Sequence, residues 1–347
     1  MVNWGVIGCG GIADRRTIPG LVQARNARLL AVMDQVPEVT RRVQEKYACP
    51  RRYDTVEDML ADGEIDAVYI ATPVFVHHEQ AMAAIAARKH VLVEKPLAIS
   101  VGQGRALVEV VRKAGVYATE GYMMKFHSLH RRAKEIIDSG ALGKVVLVRA
   151  QLSCWYPDIA GAWRQDPKLG GGGALMDMAT HLYDLMRWFV GEAKEVTALA
   201  DTLVFSYPVD DASSTLLRFE SGAHGFVDAF FCVPDSSVLS RLEVYGSRGS
   251  ILAEGTIGQG SGGTMVAYVS EETRGYDAQQ ARESADVKPQ PITAEPVNPY
   301  TGEIEYLSAC IEERRAPTIN TLEEGLRTLA IAEAAYRSAQ SGRREAL

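Results

Sequence analysis

Short apolar runs alternate with amphipathic stretches through the first third of the chain. Runs of strand length lie at residues 3–7, 29–33, 68–72, 91–94 and 116–120. Between them lie stretches of helical spacing, such as residues 78–87 and a segment from Ser100, an expected helix cap, to Lys113. Strands that alternate with helices at this spacing form parallel sheets covered on both faces. The pattern therefore predicts an α/β domain with a doubly wound parallel sheet over residues 1–121.

The alternation stops near residue 121, and longer β-type runs dominate the remainder. Strands are predicted at residues 145–152, 196–203, 213–219, 223–231, 239–245 and 265–269, with a hairpin turn at 220–222. Helices are predicted at 128–139, 298–312 and 321–339, and the last has an alanine- and leucine-rich face suited to packing back on the first domain. The remainder is thus expected to be a second α/β domain, residues 122–347, with a large, open, mostly antiparallel sheet.

Two further stretches lack the pattern of a strand or a helix. Residues 255–263 are rich in glycine, but a strand rather than a helix follows them, so they predict a loop and not a phosphate-binding turn. Residues 271–299 are polar and contain four prolines, which predicts an irregular surface excursion.

The first predicted strand continues directly into Gly8-Cys9-Gly10-Gly11-Ile12-Ala13, which fits the G-x-G-x-x-G/A pattern of Rossmann dinucleotide-binding loops. Such glycines allow a tight turn and a close approach of backbone N–H groups to a pyrophosphate at a helix N-terminus. A second strand ends at Asp34, where a carboxylate binds the adenosine ribose hydroxyls. The cofactor site predicted from this motif comprises Gly8, Gly10, Gly11, Ile12 and Asp34.

Asp34 also bears on the choice of cofactor. A carboxylate repels the 2′-phosphate of NADP, so Asp34 favours NAD. Arg41 and Arg42 are close in sequence and keep NADP open. The purely structural alternative is that Asp34 only caps the next helix.

A second candidate site follows the four glycines Gly170 to Gly173. Helical spacing puts Asp177 and His181 on one face and a separate apolar stripe on another: Met178, Leu182, Leu185 and Phe189. The glycines allow a ligand or another backbone to approach closely. A carboxylate and an imidazole one turn apart suit proton transfer. The alternative interpretation is a surface helix with an incidental histidine.

Composition excludes several other classes of function. The chain has 347 residues, enough for two cores, and its net charge of −7 disfavours nucleic acid and anionic membranes as partners. No apolar run approaches the roughly 20 residues that span a bilayer. A strand at the very start leaves no room for a signal peptide, so we expect a cytoplasmic protein. The five cysteines lack C-x-x-C spacing, and no third ligand accompanies Asp177 and His181, so we expect neither disulfides nor a metal.

With these residues in view, the chain resembles the Gfo/Idh/MocA oxidoreductases, named for glucose–fructose oxidoreductase, inositol dehydrogenase and a rhizopine-catabolism protein. The most specific marks are Glu94-Lys95-Pro96 and the Gly171-Gly172-Gly173…Asp177…His181 block, and the glycine loop, Thr72-Pro73 and Trp163-Arg164 add to them. The resemblance covers nearly the whole chain. It implies a Rossmann domain followed by a domain whose open sheet often pairs with another copy, hence a homodimer or homotetramer.

The resemblance also implies roles for individual residues. It makes Lys95 a catalytic-site residue that contacts substrate and nicotinamide, His181 the general acid/base and Asp177 its substrate-binding partner. The remaining candidates are the cofactor-side residues Thr72, Pro73, His77 and Glu94 and the substrate-side residues Tyr122 and Arg164. The segment Tyr122-Met123-Met124-Lys125 departs from the Asn or Arg that many members carry there, which leaves the polarity of the pocket open.

Structural alternatives exist for the charged candidates. Lys95 could form a surface salt bridge with Glu94, and Arg164 could pair with Asp166 or Asp177. His77 could be near the cofactor or structural.

The side chains themselves fit alcohol oxidation. A histidine with an ordinary pKa near 6.5 accepts a hydroxyl proton near neutral pH. The Lys95 ammonium stabilises negative charge on the reacting oxygen and disfavours a second cation at His181. We therefore predict a nicotinamide-dependent oxidoreductase that transfers a hydride between NAD(P) and a sugar, cyclitol or related polyol. The alternatives are a redox-neutral NAD-dependent glycosidase and a non-catalytic NAD(P)-binding sensor, and the intact Lys95, Asp177 and His181 argue against the sensor.

Overall fold

The structure is a computed structural model that describes residues 1–270 and 287–347. Most of the irregular excursion predicted at 271–299 therefore lies outside the described residues. Residues 255–263 form a loop between two strands, as predicted.

Residues 1–120 hold a six-stranded, wholly parallel sheet in the order β3-β2-β1-β4-β5-β6. Its strands are β1 (Val2–Ile7), β2 (Ala27–Met33), β3 (Arg51–Tyr53), β4 (Ala67–Ile70), β5 (His90–Val93) and β6 (Ala118–Glu120). The strand order reverses between β1 and β4. Ligands of doubly wound sheets bind beyond the carboxyl ends of the strands at this point.

Helices cover both faces of this sheet. They are α1 (Ile18–Gln23), which follows a π-helical turn at Ala13–Thr17, α2 (Pro37–Tyr47), α3 (Val56–Ala61), α4 (His77–Ala86) and α5 (Val101–Ala114). Neighbouring strand residues such as Tyr69 and Ile70 belong to separate hydrophobic clusters because successive side chains point to opposite faces. Ser100 caps α5 by accepting a hydrogen bond from the Gln103 N–H, as predicted. The prediction of a doubly wound sheet is confirmed.

The remainder of the described chain contributes a nine-stranded sheet in the order β14-β13-β12-β11-β7-β10-β9-β8-β15. Its strands are β7 (Val145–Ser153), β8 (Ala193–Asp201), β9 (Ala212–Phe219), β10 (His224–Phe230), β11 (Arg241–Gly246), β12 (Gly249–Glu254), β13 (Thr264–Val269), β14 (Gln290–Pro291) and β15 (Glu345–Ala346). The predicted turn at 220–222 joins β9 to β10. Neighbouring strands pair antiparallel except β7 with β10, so the predicted mostly antiparallel sheet is confirmed.

Helices of this part of the described chain pack either on the second sheet or back on the first. They are α6 (Ser128–Asp138), α7 (Pro167–Gly170), α8 (Thr180–Val190), α9 (Pro299–Glu312) and α10 (Leu322–Ser341). In the tertiary structure α9 contacts α1, and α10 contacts α5. The boundary between domains at residues 121 and 122 stays a prediction. Within residues 1–270 and 287–347, no helix has the length and apolar character needed to cross a membrane.

The segment with Asp177 and His181 lies in the interior. Asp177 is in a π-helical turn, Leu175–Ala179, and His181 is in the first turn of α8. The apolar stripe of α8 packs under the sheet, and Asp184 on the polar face is buried as well. The alternative of a surface helix is therefore wrong.

Candidate active site

A cavity of about 1040 Å³ runs from the glycine loop to the start of α8. Its wall includes residues beyond the carboxyl ends of β1, β2, β4 and β5, where the topology places a ligand. Most of the residues predicted from the sequence line it: Gly8, Gly10, Gly11, Ile12, Asp34, Thr72, Pro73, Glu94, Lys95, Arg164, Asp177 and His181. The fold thus brings the cofactor motif and the acid/base motif to one space.

The glycine loop crosses the carboxyl end of β4 at close range. Gly8 has a φ of +79°, and a Cβ there would lie 2.6 Å from Cγ2 of Thr72, so this position requires glycine. Asp34 at the end of β2 accepts hydrogen bonds from Gly10 N at 3.2 Å and from Val36 N at 3.1 Å. The residue that caps α2 is Val36, without a side-chain hydrogen bond. Asp34 therefore braces the loop, and the alternative that it only caps α2 is wrong.

The sequence did not predict the segment beside Asp34, which follows β3, the strand that pairs with β2. Asp54, Thr55 and Glu57, from the end of β3 and the start of α3, line this end together with Arg15. The strand β3 has only three residues, two of them arginine, and so carries no apolar signal. With Asp34, these carboxylates make the cavity end anionic.

Lys95, Asp177 and Arg164 form a connected charged group. The Lys95 ammonium donates to the backbone oxygen of Asp177 at 2.7 Å and to its Oδ1 at 2.9 Å, and Arg164 Nε donates to the same Oδ1 at 3.3 Å. Burial alone favours the protonated carboxyl, but the charges of Lys95 and Arg164 outweigh it and hold the pKa of Asp177 well below its ordinary value. The structural alternative for Arg164, an ion pair with Asp177, is present, and its role in substrate binding stays a prediction. The alternative of a Lys95–Glu94 surface salt bridge is wrong.

His181 lies beside this charged group with little exposure. Its Nδ1 has no hydrogen-bond partner among the described residues. Burial, and then the charge of Lys95, lower the pKa of His181 well below its ordinary value, and Asp177 offsets this only in part. The ring is therefore neutral at physiological pH and able to accept a proton.

Two predicted contact residues lie one layer behind the wall. Tyr122 is buried and packs edge-on against His181, with ring centroids 5.8 Å apart, and is not among the residues that line the cavity. His77 is also buried, and its ring nitrogens lie 2.9 Å from the Pro96 carbonyl and 2.8 Å from the Thr72 carbonyl. In the structure, Tyr122 thus packs against His181 behind the wall, and His77 ties two cavity loops together. Direct contact of either residue with a ligand stays a prediction.

The glycines before Asp177 accommodate another part of the backbone. A Cβ on Gly173 would lie 1.9 Å from the carbonyl oxygen of Asp210. The Asp210 carboxylate accepts hydrogen bonds from Gly173 N at 2.9 Å and Leu175 N at 2.7 Å, so it caps the turn that carries Asp177. No local pattern signals this cap, because Asp210 is distant in the sequence.

Apolar side chains complete the cavity. They come from the turn Met123–Phe126, from the end of β7 and its following loop, and from the π-helical turn before α8: Met123, Met124, Leu152, Cys154, Trp163 and Met178. Trp163 stacks under the guanidinium of Arg164, 4.2 Å from the ring centroid. Within the described ranges, no group of three or more His, Cys, Asp or Glu side chains is arranged to hold a metal.

A Rossmann sheet carries the glycine loop and Lys95, and a helical segment of the second half of the chain brings Asp177 and His181 to the same cavity. This arrangement defines a class of two-domain, dinucleotide-linked oxidoreductases. Comparison with known proteins agrees. An oxidoreductase family with an NAD-binding Rossmann fold matches residues 2–122, and the GFO/IDH/MocA C-terminal domain matches residues 130–252. The chain belongs to the Gfo/Idh/MocA oxidoreductase family.

The similarity to individual relatives extends over the whole length of the chain. The chain is 30% identical to D-xylose 1-dehydrogenase (NADP(+)) 2 of Haloferax volcanii over 98% of each chain. It is 28% identical to 1,5-anhydro-D-fructose reductase of Ensifer adhaerens, covering 99% of this chain and 97% of the relative. The crystal structure of aldose-aldose oxidoreductase from Caulobacter crescentus, complexed with glycerol, superposes with a TM-score of 0.88 at 27% identity, covering 100% and 99% of the two chains.

Proposed function

We propose that the protein is an NAD-dependent dehydrogenase or reductase that transfers a hydride between the cofactor and a ring carbon of a cyclic sugar or cyclitol. The observation that carries this proposal is the Lys95–Asp177 ion pair beside a neutral His181, in the cavity that the glycine loop opens into. The relatives named above for xylose and anhydrofructose support the class of substrate.

The residues present fit a dinucleotide. A Cβ on Gly11 would meet no atom within 4 Å, so the loop backbone there has open space beside it, and a cavity of about 1040 Å³ accommodates a ligand of this size beside a sugar ring. Gly10 and Gly11 would face the pyrophosphate, Asp34 the adenosine ribose, and Thr72, Pro73, Glu94 and Lys95 the nicotinamide half. When bound, the cofactor supplies the hydride acceptor or donor. The anionic end at Asp34, Asp54 and Glu57 favours NAD over NADP.

The protein's own groups supply the acid/base chemistry. A substrate hydroxyl that reaches Lys95 and His181 would lose its proton to the neutral imidazole while the ammonium stabilises the negative charge that develops on the oxygen. Asp177 holds the ammonium in place, and in the reverse direction the protonated imidazole returns the proton to a carbonyl oxygen. Burial of these groups strengthens each interaction because little water competes.

The methionines in the cavity wall indicate the shape of the substrate. Met123, Met124 and Met178 carry no hydrogen-bonding groups that could match a substrate hydroxyl well, and methionine adapts to varied apolar outlines. A hydroxyl facing them would be buried without a partner, which costs about 1–3 kcal/mol. We therefore propose a compact ring with one C–H face, such as an anhydrosugar, rather than an open-chain polyol.

Self-association through the second sheet is also proposed. Ala198, Leu217 and Val227 belong to the core, so their neighbours in sequence point to the other face of the sheet. That face exposes Leu199 by 67%, Leu216 by 42% and Phe226 by 40%. A homodimer or homotetramer would cover these side chains, and a gel-filtration mass near the 37.8 kDa of one chain would contradict it. Location in the cytoplasm stays a prediction.

The proposed reaction is tested by absorbance of the reduced nicotinamide. Purified protein is incubated with NAD⁺ or NADP⁺ and with a panel of anhydrosugars, pyranoses, inositols and open-chain polyols. The proposal expects reduction of NAD⁺ with cyclic substrates, and loss of that signal in His181→Asn with cofactor binding retained. Product formation without net reduction would indicate a redox-neutral glycosidase, and cofactor binding with no turnover in either direction would indicate a sensor.

A further inference from the structure

A tyrosine lies between two buried carboxyl groups beneath the cavity. The Tyr69 hydroxyl is 2.9 Å from Oε1 of Glu94 and 3.0 Å from Oε1 of Glu303. The exposed fractions are 0% for Tyr69, 7% for Glu94 and 3% for Glu303. The residues come from β4, the end of β5 and α9, so tertiary folding rather than local sequence assembles the group.

The hydrogen bonds in this group determine how many protons its three side chains carry. A tyrosine hydroxyl donates one hydrogen bond, and an ionised carboxylate can only accept. If both carboxyl groups were ionised, the tyrosine hydroxyl could donate to only one of them. The other short O–O contact would then join two hydrogen-bond acceptors, and two negative charges would be buried together. All contacts are satisfied when one carboxyl group keeps its proton and donates it to the tyrosine oxygen.

The surroundings decide which carboxyl group holds the proton. Burial raises the pKa of Glu94, but four influences oppose that rise: the charge of Lys95, the Tyr69 hydroxyl, a second hydrogen bond from the Lys95 backbone N–H at 3.2 Å, and the charge of Arg164. Of these, Glu303 has only the contact with Tyr69, and its Oε2 lacks a hydrogen-bond partner among the described residues. Burial, and then the charge of Glu94, raise the pKa of Glu303 well above its ordinary value. The proton therefore belongs on Glu303.

The other charged or titratable groups around the three residues do not change this order. Tyr300, on α9, has a pKa raised well above its ordinary value by burial and by the two glutamates, so it stays neutral. Arg15 and Arg16, from the turn before α1, act on Tyr300. Neither arginine is among the groups that act on Glu303.

We propose that Glu303 is a positioning residue for the cofactor. As a neutral acid it donates to Tyr69, Tyr69 donates to Glu94, and this chain keeps Glu94 ionised in the cavity wall beside Lys95. An oxidised nicotinamide ring carries a positive charge that the reduced ring lacks. A fixed carboxylate at Glu94 therefore favours binding of NAD⁺ relative to NADH. The inference rests on the proposed function only in taking the cofactor to be a nicotinamide dinucleotide.

The proton on Glu303 is tested without any cofactor. Infrared spectra of the wild type at neutral pH should contain the carbonyl stretch of a protonated carboxyl group that is absent from Glu303→Gln. Glu120→Gln is the matched control: Glu120 is also buried, neither of its oxygens has a hydrogen-bond partner in the described structure, and it does not line the cavity. That control should keep the Glu303 band. Identical spectra of the wild type and Glu303→Gln would overturn the proton assignment.

The effect on the cofactor is tested by the ratio of dissociation constants for NADH and NAD⁺. Glu303→Gln should keep this ratio, because its amide N–H donates to Tyr69 as the acid does. Tyr69→Phe should weaken NAD⁺ binding by about tenfold relative to NADH, because Glu94 then loses its donor and takes up a proton. Glu303→Leu should weaken it by less, because the Tyr69 hydroxyl remains but no longer has a donor that holds it towards Glu94. Glu120→Gln should leave the ratio unchanged.

The positioning role would be overturned if Tyr69→Phe left the ratio of dissociation constants unchanged. It would also be overturned if Glu303→Gln weakened NAD⁺ binding, relative to NADH, as much as Glu303→Leu does. Thermal unfolding identifies a variant that fails to fold, and Tyr69→Phe then decides in place of Glu303→Leu. A protein that bound both cofactors with the expected ratio but oxidised no sugar would contradict the proposed reaction and leave this inference standing. If neither cofactor bound, the nicotinamide assignment and the cofactor role would both be overturned.

Discussion

Two lysine–aspartate pairs along one helical segment have the same length and different surroundings. Lys95 meets Asp177 at 2.9 Å, and Lys125 meets Asp184 at 2.9 Å, seven residues further along. The first pair is 12% and 22% exposed and opens into the cavity, whereas both side chains of the second are 2% exposed. Equal contact distance therefore does not mean equal role: a ligand can reach the first pair, and the second connects packed elements.

The electrostatic surroundings separate the pairs further. The cations around Asp177 hold its pKa well below the ordinary value. At Asp184, burial outweighs Lys125 and Arg187, and the pKa is raised. Glu324 on α10 lies 3.7 Å from the Lys125 ammonium, so this interior pair also links α8 to the C-terminal helix. The Lys95 pair keeps a charged carboxylate ready beside a substrate, and the Lys125 pair contributes to stability.

The largest expected effect is the loss of catalysis when Lys95 of the first pair is replaced. Lys95→Met removes the charge that stabilises the reacting oxygen, and we expect kcat to fall by about 10³-fold. The free energy of unfolding should fall by less than it does when Lys125 is replaced, because Asp177 keeps its ion pair with Arg164. Steady-state kinetics and urea unfolding measure the two quantities. A turnover within a few-fold of the wild type would remove Lys95 from the reaction.

The opposite result is expected at Lys125. Lys125→Met leaves Asp184 buried without its cation, which should cost about 3–5 kcal/mol of unfolding free energy, while kcat of the folded fraction stays near the wild type. Adding Asp184→Leu should recover part of the loss, because no unpaired charge then remains. Urea unfolding of both single variants and the double variant gives the coupling energy. Additive losses would show that the pair does not act as a unit.

A smaller effect concerns pH. Burial, and then Lys95, lower the pKa of His181 below 6.5, so the imidazole stays neutral as the pH falls through 6.5. The acid limb of kcat/KM for alcohol oxidation should therefore lie below pH 6.5, since protonation of this base stops the reaction only there. A pH–rate profile measures it. A limb centred at or above pH 6.5 that disappears in His181→Asn would contradict the assigned environment.

The smallest expected effect lies at the far end of the cavity. Asp34→Ser removes one carboxylate from the anionic end, and the ratio of kcat/KM with NADP⁺ to that with NAD⁺ should rise by about tenfold. Asp138→Ser, on the exposed side of α6, is the matched control and should leave the ratio unchanged. If the ratio in Asp34→Ser equals that of the wild type, Asp34 does not determine the cofactor.

The two lysine–aspartate pairs also show how much of the fold and of the site could be predicted from the sequence. The glycine loop, Asp34 and the Asp177–His181 spacing are local signals, because a turn, a strand end and one helical turn each require particular residues within a short window. The sequence also indicated Lys95 through its position after a strand. Nothing local pairs Lys125 with Asp184, or Tyr69 with Glu303. Such contacts depend on how distant elements pack, and this is not visible in the spacing of residues along the chain.

The features that the sequence did not predict correctly have physical explanations as well. Strand β3, Arg51–Tyr53, is short and polar, and β12, Gly249–Glu254, follows a turn within a glycine- and serine-containing stretch, which weakens its apolar alternation. The parallel pairing of β7 with β10 is a property of the assembled sheet. The packing of the Tyr122 ring against His181 is likewise not visible in its position after a strand end.

The most direct test of the central contrast is chemical rescue. Ethylammonium is added to Lys95→Ala and to Lys125→Ala, and turnover and unfolding free energy are followed as its concentration rises. The amine should restore turnover in Lys95→Ala, because the vacated site opens into the cavity, and should leave the stability of Lys125→Ala unchanged, because that site is closed. No rescue of Lys95→Ala, with its fold and cofactor binding intact, would contradict the account, as would stabilisation of Lys125→Ala by the amine.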